Sequence, residues 1–252
     1  MIKFFRKIRQ RMLTENNFSK YLIYAIGEII LVVIGILIAL SINNWNELKK
    51  EGVKEQKILA SLFQDFKINI KNLDDALKLY PEMQDRSIKV LSLVGLAKDS
   101  LKMVEPLSII KTTYILTEII DGTLISVLNS DKLELIKNDS IKNLLTSYPA
   151  SVENFKKREA NLEKVILEIQ RPIIEEYVSL TDLLPMENLD FESIKSKTVQ
   201  SNYKGLLNDL RWQNVLMHRY YATQELSKAA IELKKKTVEI YSLLRKDLDT
   251  FH

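Results

Sequence analysis

The sequence has no cysteine, six glycines, five prolines and two histidines in 252 residues. Without cysteine there is no disulfide framework, no thiolate metal site and no thiol nucleophile. Glycine stands well under its usual share of about 7%. Hairpins and tight strand connections draw on glycine and proline. Their scarcity argues against a β-sandwich, a dinucleotide-binding sheet or a phosphate-loop enzyme. Gly27, Gly35, Gly52, Gly95, Gly122 and Gly205 are each isolated, so no glycine-rich phosphate cradle is formed. Two histidines leave little imidazole for metal or proton-transfer work. No zincin motif, nucleophile elbow or Glu-x-x-His di-iron pair occurs. No cofactor and no metal are expected, and an enzyme is the least favoured reading.

Charge is unevenly placed. The formal net charge is +4. Residues 1–20 carry Lys3, Arg6, Lys7, Arg9, Arg11 and Lys20 against Glu15 alone, and the remainder is close to neutral. A nucleic-acid binder spreads its Lys and Arg over a domain face; here they form a tail, and no nucleic-acid partner is expected.

That tail precedes the most apolar segment. Residues 21–45 contain one acid and no base, Glu28. Leu22 to Ile42 is long enough to cross a hydrocarbon core, which takes about 20 residues. Tyr21 and Tyr24 at one end and Trp45 at the other are placed as interfacial anchors. The reading is a basic cytoplasmic tail over 1–20, a transmembrane helix over 21–45 and an extracytoplasmic domain over 46–252. The positive-inside rule puts Lys3, Arg6, Lys7, Arg9 and Arg11 in the cytoplasm and the chain after about residue 45 across the membrane. Two alternatives are a soluble core helix and a cleaved signal peptide, for which Ala39 and Ser41 have the small-residue spacing of a cleavage site. Ile2, Phe5, Ile8 and Met12 share one helical face with basic residues opposite, the pattern of an interfacial helix on anionic lipid. A solvated basic stop is the plainer reading of the same residues.

Tyr24, Glu28, Val32, Gly35 and Ala39 fall on one face of the apolar helix. An intramembrane carboxylate is costly and a functional candidate by default. Gly35 and Ala39 make a small-x-x-x-small step that permits close helix contact. This face predicts a membrane-protein partner or a homo-oligomer. If the hydrocarbon span begins instead at Ile29, Glu28 sits among headgroups with no special role.

Phe4 to Arg9, Tyr24 to Ile29, Val32 to Leu40 and Asn43-Asn44-Trp45-Asn46 together resemble an uncharacterised family of single-pass membrane proteins common in Bacteroidota. The resemblance is specific over residues 3–47 and weaker around Lys132 to Asn138. It implies a bacterial inner-membrane anchor and an all-helical periplasmic part, and it supplies no activity.

From Glu47 on, the apolar pattern is helical. Leu59, Leu62, Phe66, Ile70, Leu73, Leu77 and Tyr80 recur at three- and four-residue steps. Pro81 is expected to end that helix, with a second helix running to about Lys98. Pro106 opens an apolar stretch, Leu107 to Ile120, closed by Asp121-Gly122. Asn129 to Asp131 and Asn138 to Ser140 are capping clusters with short helices behind them. Pro149 is expected to open a long helix carrying Val152, Phe155, Leu162, Ile166, Ile169, Ile173 and Tyr177, which Pro172 kinks or splits. Residues 185–201 read as a polar connection with one short helix. Leu206 to Leu248 reads as one last helix with Leu210, Leu216, Tyr220, Leu226, Ala230, Leu233, Ile240, Leu244 and Leu248 inward. The expected fold is all-α: one transmembrane helix, then an antiparallel bundle. An inter-chain coiled coil could also bury these stripes, but the prolines favour folding back within one chain.

Trp212, His218, Arg219, Tyr220 and Tyr221 form the best candidate binding patch, because interfaces favour Trp, Tyr and Arg; aromatic core filling explains the same residues. The Glu175-Glu176 pair and the Lys234 to Lys236 run read as solvated helix faces. The function expected is that of an anchored scaffold presenting a helical bundle to an envelope complex. The alternative is a ligand sensor relaying through the transmembrane helix, although a 20-residue tail holds no output domain. A third reading is an ion- or proton-coupled subunit using Glu28.

Overall fold

The computed structural model describes residues 18–96, 104–183 and 189–250. Among them there are helices and no strand. The basic residues Lys3, Arg6, Lys7, Arg9 and Arg11, with the expected interfacial helix, lie outside the described residues.

The helices are α1 (Phe18–Leu91), α2 (Pro106–Ile110), α3 (Gly122–Leu128), α4 (Lys132–Leu135) and α5 (Asp139–Lys164). A π-helical turn, Val165–Gln170, joins α5 to α6 (Arg171–Tyr177). A 3-10 turn (Leu180–Leu183), α7 (Leu189–Lys197), α8 (Tyr203–Asn208) and α9 (Leu210–Thr250) complete the order. The chain divides into two compact units, Met1–Glu55 and Gln56–His252.

In the first unit the helix from Leu22 to Ile42 carries a single charged residue, Glu28. Its most apolar stretch has a mean hydropathy of 2.8, and none of it is buried. Ile23, Ile29, Leu31 and Ile42 are more than 60% exposed. No helical break follows Trp45, and the second unit begins only at Gln56.

In the second unit the core is a heptad structure. The buried positions of α1 after Gln56 are Leu59, Leu62, Phe66, Asn69, Leu73, Ala76, Tyr80, Met83, Ser87 and Val90. They alternate in steps of three and four throughout. On α5 the buried series Ile141, Leu145, Tyr148, Phe155, Glu159 and Leu162, continued by Ile166 in the π turn, keeps the same register, with half-buried Val152 filling its one gap. On α9 it is Trp212, Leu216, Arg219, Thr223, Leu226, Ala230, Leu233, Thr237, Ile240 and Leu244. A sustained repeat of 3.5 residues is the seam of a coiled coil. The long helices of the second unit therefore bury their seams on each other within one chain.

Contacts give the helix directions. Asn138 bonds Asp247, Tyr148 bonds Thr237, and Gln170 bonds Arg219. Partner numbers fall along α9 as they rise along α5, so these two run oppositely. Phe63 stacks on Tyr241 at 4.6 Å, and Lys234 pairs with Asp74. That stretch of α1 thus also opposes α9 and runs the same way as α5. The connection between α1 and α5 must bring the chain back, and residues 111–121 do so without regular structure.

Several expected boundaries move. Pro81 lies within α1, not at its end. It faces outward, and burial of Met83 and Val90 beyond it offsets a helix-interior proline penalty of about 3 kcal/mol. The expected second helix to Lys98 is therefore the end of α1, which a left-handed Gly95 (φ 83) follows. Pro149 likewise sits inside α5, whose N-cap is Asn138, accepting from the Ser140 and Ile141 amides. The helix behind that cap is long, not short. Pro172 does split the run: the π turn widens the helix just before it, where the ring would otherwise meet a carbonyl. The extra residue rotates the seam, so Gln170 is buried and Ile169, expected inward, is 44% exposed. The last helix is broken at Asp209, and Leu210, also expected inward, is 68% exposed.

Asp209 shapes that break. Its carboxylate accepts from the Arg211 amide at 2.7 Å, the Arg211 guanidinium and the Tyr177 hydroxyl. Chiefly through Arg211, its pKa is pulled down to about 2. A depressed carboxylate stabilises the fold above its ordinary pKa and loses that contribution as pH falls through the lowered value. Acid unfolding of Asp209→Asn, followed by circular dichroism, should therefore show a smaller loss of stability between about pH 4 and pH 2 than the wild type.

Candidate functional site

Residues 111–121, here called the strap, are the unusual feature of the second unit. The run Thr112, Thr113, Tyr114 and Ile115 is rich in β-branched and aromatic side chains, which favour extended backbone. An extended segment in a helical protein has no strand to pair with, yet buried amides and carbonyls need partners. Side chains supply them. Asn69 of α1 donates to the Ile120 carbonyl and accepts from its amide, both at 2.7 Å. Asn72 donates to the Glu118 carbonyl at 3.0 Å. Glu159 of α5 accepts from the Thr117 amide at 2.6 Å, and Lys156 bonds both the Thr117 carbonyl and Glu159. Arg219 of α9 donates to the carbonyls of Lys111 and Thr113 at 2.9 and 2.8 Å.

Five side chains from three helices thus hold seven backbone atoms. Asn69, Glu159 and Arg219 are all at most 3% exposed and occupy seam positions where an apolar residue would otherwise sit. Arg219 also donates to Gln170, the residue the π turn brings inward. Its partners are carbonyl oxygens rather than carboxylates. Burial, with Arg86 adding repulsion, pushes its pKa down to about 10, so it keeps its charge at neutral pH. Tyr80 lies against the Thr117 hydroxyl at 3.5 Å, and burial raises its own pKa to about 12. This arrangement grips polypeptide backbone.

A second polar cluster ties down the chain after α6. Asp182 accepts from Ser201 at 2.6 Å and Tyr203 at 2.7 Å and pairs with Lys195 at 3.3 Å. Burial opposes its ionised form, but these three donors outweigh burial and hold the carboxyl below its usual range. The pairing spans segments too far apart for a local motif to announce it.

Of the expected aromatic patch only Tyr220 and Tyr221 meet, edge to face at 5.5 Å. Trp212 and Arg219 lie in the core at 0 and 2% exposure, while His218 is exposed and Tyr220 half-buried on other sides of α9. A heptad seam turns positions 212 and 219 inward and puts 218 out. Glu28, Gly35, Ala39 and Trp45 all lie on α1 in the first unit, with Trp45 under the Lys49 ammonium at 5.7 Å. Tyr24 shares that helix, and its side chain lies outside the described residues. Among the described residues, no three His, Asp or Glu side chains gather as metal ligands.

Fold and site define an all-α bundle protein with an exposed apolar helix in its N-terminal unit. Residues 28–148, just under half of the chain, match the model of a family of unknown function (DUF6090). That span holds Glu28, the clamp residues Asn69 and Asn72 and the whole strap; Glu159 and Arg219 fall beyond it. Neither a curated protein nor a solved structure matches.

Asn69→Ala removes both bonds to Ile120 and leaves a part-buried amide and carbonyl without that partner. It should lower stability by about 2–4 kcal/mol. Asn72→Ala, which removes one exposed bond, should cost under about 1 kcal/mol. Urea unfolding of the two variants beside the wild type checks both values.

Proposed function

We propose that the protein is a membrane-anchored interaction protein of the bacterial envelope. The apolar stretch of α1 is its single-pass anchor, with the basic tail on the cytoplasmic side and the helical bundle on the periplasmic side. The observation that carries this reading is the helix from Leu22 to Ile42. Apart from Glu28 it is apolar, and all its leucine, isoleucine and valine side chains are exposed, a state that suits lipid and not water. At 1.5 Å per residue it spans about 31 Å, the thickness of a hydrocarbon core. The bundle's buried polar groups bind its own backbone, which suits a scaffold better than a reaction centre.

The face holding Glu28, Gly35 and Ala39 serves as the contact with a membrane partner or a second copy. A Cβ added at Gly35 meets nothing within 4 Å, so filling this face leaves the chain's own packing intact. Any loss of association then reports on another molecule.

Topology is open to direct test, because a chain without cysteine accepts single reporter cysteines cleanly. A membrane-impermeant maleimide should label Lys246→Cys in spheroplasts, and Gln10→Cys only after lysis. Labelling of both from one side, or a mature mass lacking residues 1–41, would overturn the anchor. Gly35→Ile combined with Ala39→Ile should abolish a stoichiometric partner or oligomer seen in mild detergent. Association unchanged by that pair would remove this face from the proposal.

A further inference from the structure

We infer that the groove holding the strap is a binding site for extended polypeptide, occupied in cis by residues 111–121 and open to exchange with an extended segment of a partner protein. The inference goes beyond the anchored-scaffold reading and stands whether or not the apolar helix lies in a membrane.

Three observations carry it. The first is what the clamp touches. Arg219, Asn69, Asn72, Glu159 and Lys156 bond carbonyls and amides of the strap, groups that every polypeptide offers. Recognition through main-chain atoms is how extended peptides are bound by strand addition. Here side chains take the place of the accepting strand.

The second is how the strap is held. Among the described residues the main chain of 112–120 bonds no other main chain, and only Asp121 at the strap's end does, its carbonyl accepting from the Ile125 amide at 2.8 Å. Beside the bonds to main-chain atoms, which another extended segment could receive, Arg86 donates to the Thr113 hydroxyl and the Tyr114 hydroxyl donates to Glu163. Leu116 is 59% exposed, and a groove of about 230 Å³ runs beside Ile115 to Glu118, lined on α1 by Asn72, Asp75, Ala76 and Leu79. An incoming segment has an entry edge there.

The third is the composition of the seam. Asn69, Glu159 and Arg219 place polar or charged groups inside a coiled-coil core, where apolar residues of similar size are generally as good or better for stability. All three point their bonds at the strap position. The core is built around an extended backbone and not only around the apolar side chains it carries.

The ligand chemistry follows from the occupant. Thr117 sits at 4% exposure between Tyr80 and Glu159, so the central residue must be small and must keep its amide. Tyr114, Ile115, Ile119 and Ile120 flank it with half-buried apolar surface. The expected occupant is an extended segment with a threonine-sized centre and apolar residues on both sides. A binding-competent groove that is only fractionally open weakens apparent affinity by that fraction. Loosening the cis strap should therefore strengthen binding in trans.

The test uses the full-length protein in detergent and a fluorescent synthetic peptide with the sequence of residues 111–121. Saturable binding is expected. A peptide carrying Thr117→Pro, which lacks the amide that Glu159 accepts, should bind at least tenfold more weakly. The same substitution in the protein should raise affinity for the unmodified peptide at least tenfold. Absence of saturable binding to both wild type and a helical Thr117→Pro protein overturns the proposal. Should that variant fail to fold, hydrogen exchange on the wild type decides. Amides of Thr117 and Ile120 exchanging while those of Leu62 to Tyr80 stay protected support it. Exchange only together with those helices makes the strap a fixed part of the core and overturns it.

Discussion

The second unit depends on satisfying an extended backbone inside a helical core. Helices meet their own hydrogen-bonding needs, and a three-helix seam can be wholly apolar. The strap cannot meet its needs alone, and it lies where water does not reach Thr117. Each helix that contacts it therefore gives up a seam position to a polar group: Asn69 on α1, Glu159 on α5 and Arg219 on α9. The π turn belongs to the same constraint. By adding one residue before Pro172 it exchanges Ile169 for Gln170 at the seam and gives Arg219 another carbonyl oxygen. Two helices running in the same direction need a return path between them, and the strap is part of that path.

Much of the architecture was legible in the residues. The absence of glycine-rich and proline-rich turns pointed to helices. The apolar run at 22–42, broken only by the charge of Glu28, stood out by composition alone, and Asn138 announced a helix start through its oxygen and its place before Asp139 and Ser140. Pro172 split its helix as its missing amide requires. Pro81 and Pro149 misled because a proline on the outer face can be carried by buried residues on both sides, and which face it takes depends on partners still unknown at that point. The apolar stretch 107–120 gave no sign that helix would stop at Ile110, although the β-branched pair Thr112-Thr113 is the residue-level reason.

The clamp itself was hidden by the habit of reading only apolar residues. A stripe drawn through Leu59, Leu62, Phe66, Ile70 and Leu73 steps around Asn69 and so misses the seam, which runs through the asparagine. Glu159, Thr223 and Thr237 disguise the other two helices in the same way. An unbroken three-four alternation that tolerates polar members would have found all three seams. Why Asn69, Glu159 and Arg219 are polar requires the strap, which is distant in sequence from all three, while Thr223 and Thr237 bond carbonyls of their own helix. Trp212 and Arg219 allowed two readings, a surface patch and core filling, and seven-residue spacing on a long helix puts both inside.

The stacking of Phe63 on Tyr241 has a consequence for how the protein is made. These rings join the first long helix of the bundle to the last, so the core cannot close until the final 41-residue helix has been synthesised. Contacts this distant along the chain slow folding, because the loop must close before any of them forms. Meanwhile α1 waits with Leu59, Leu62, Phe66 and Leu73 uncovered. The nascent chain thus passes through a period in which its seam is a hydrophobic surface open to any neighbour, and the last helix ends that period.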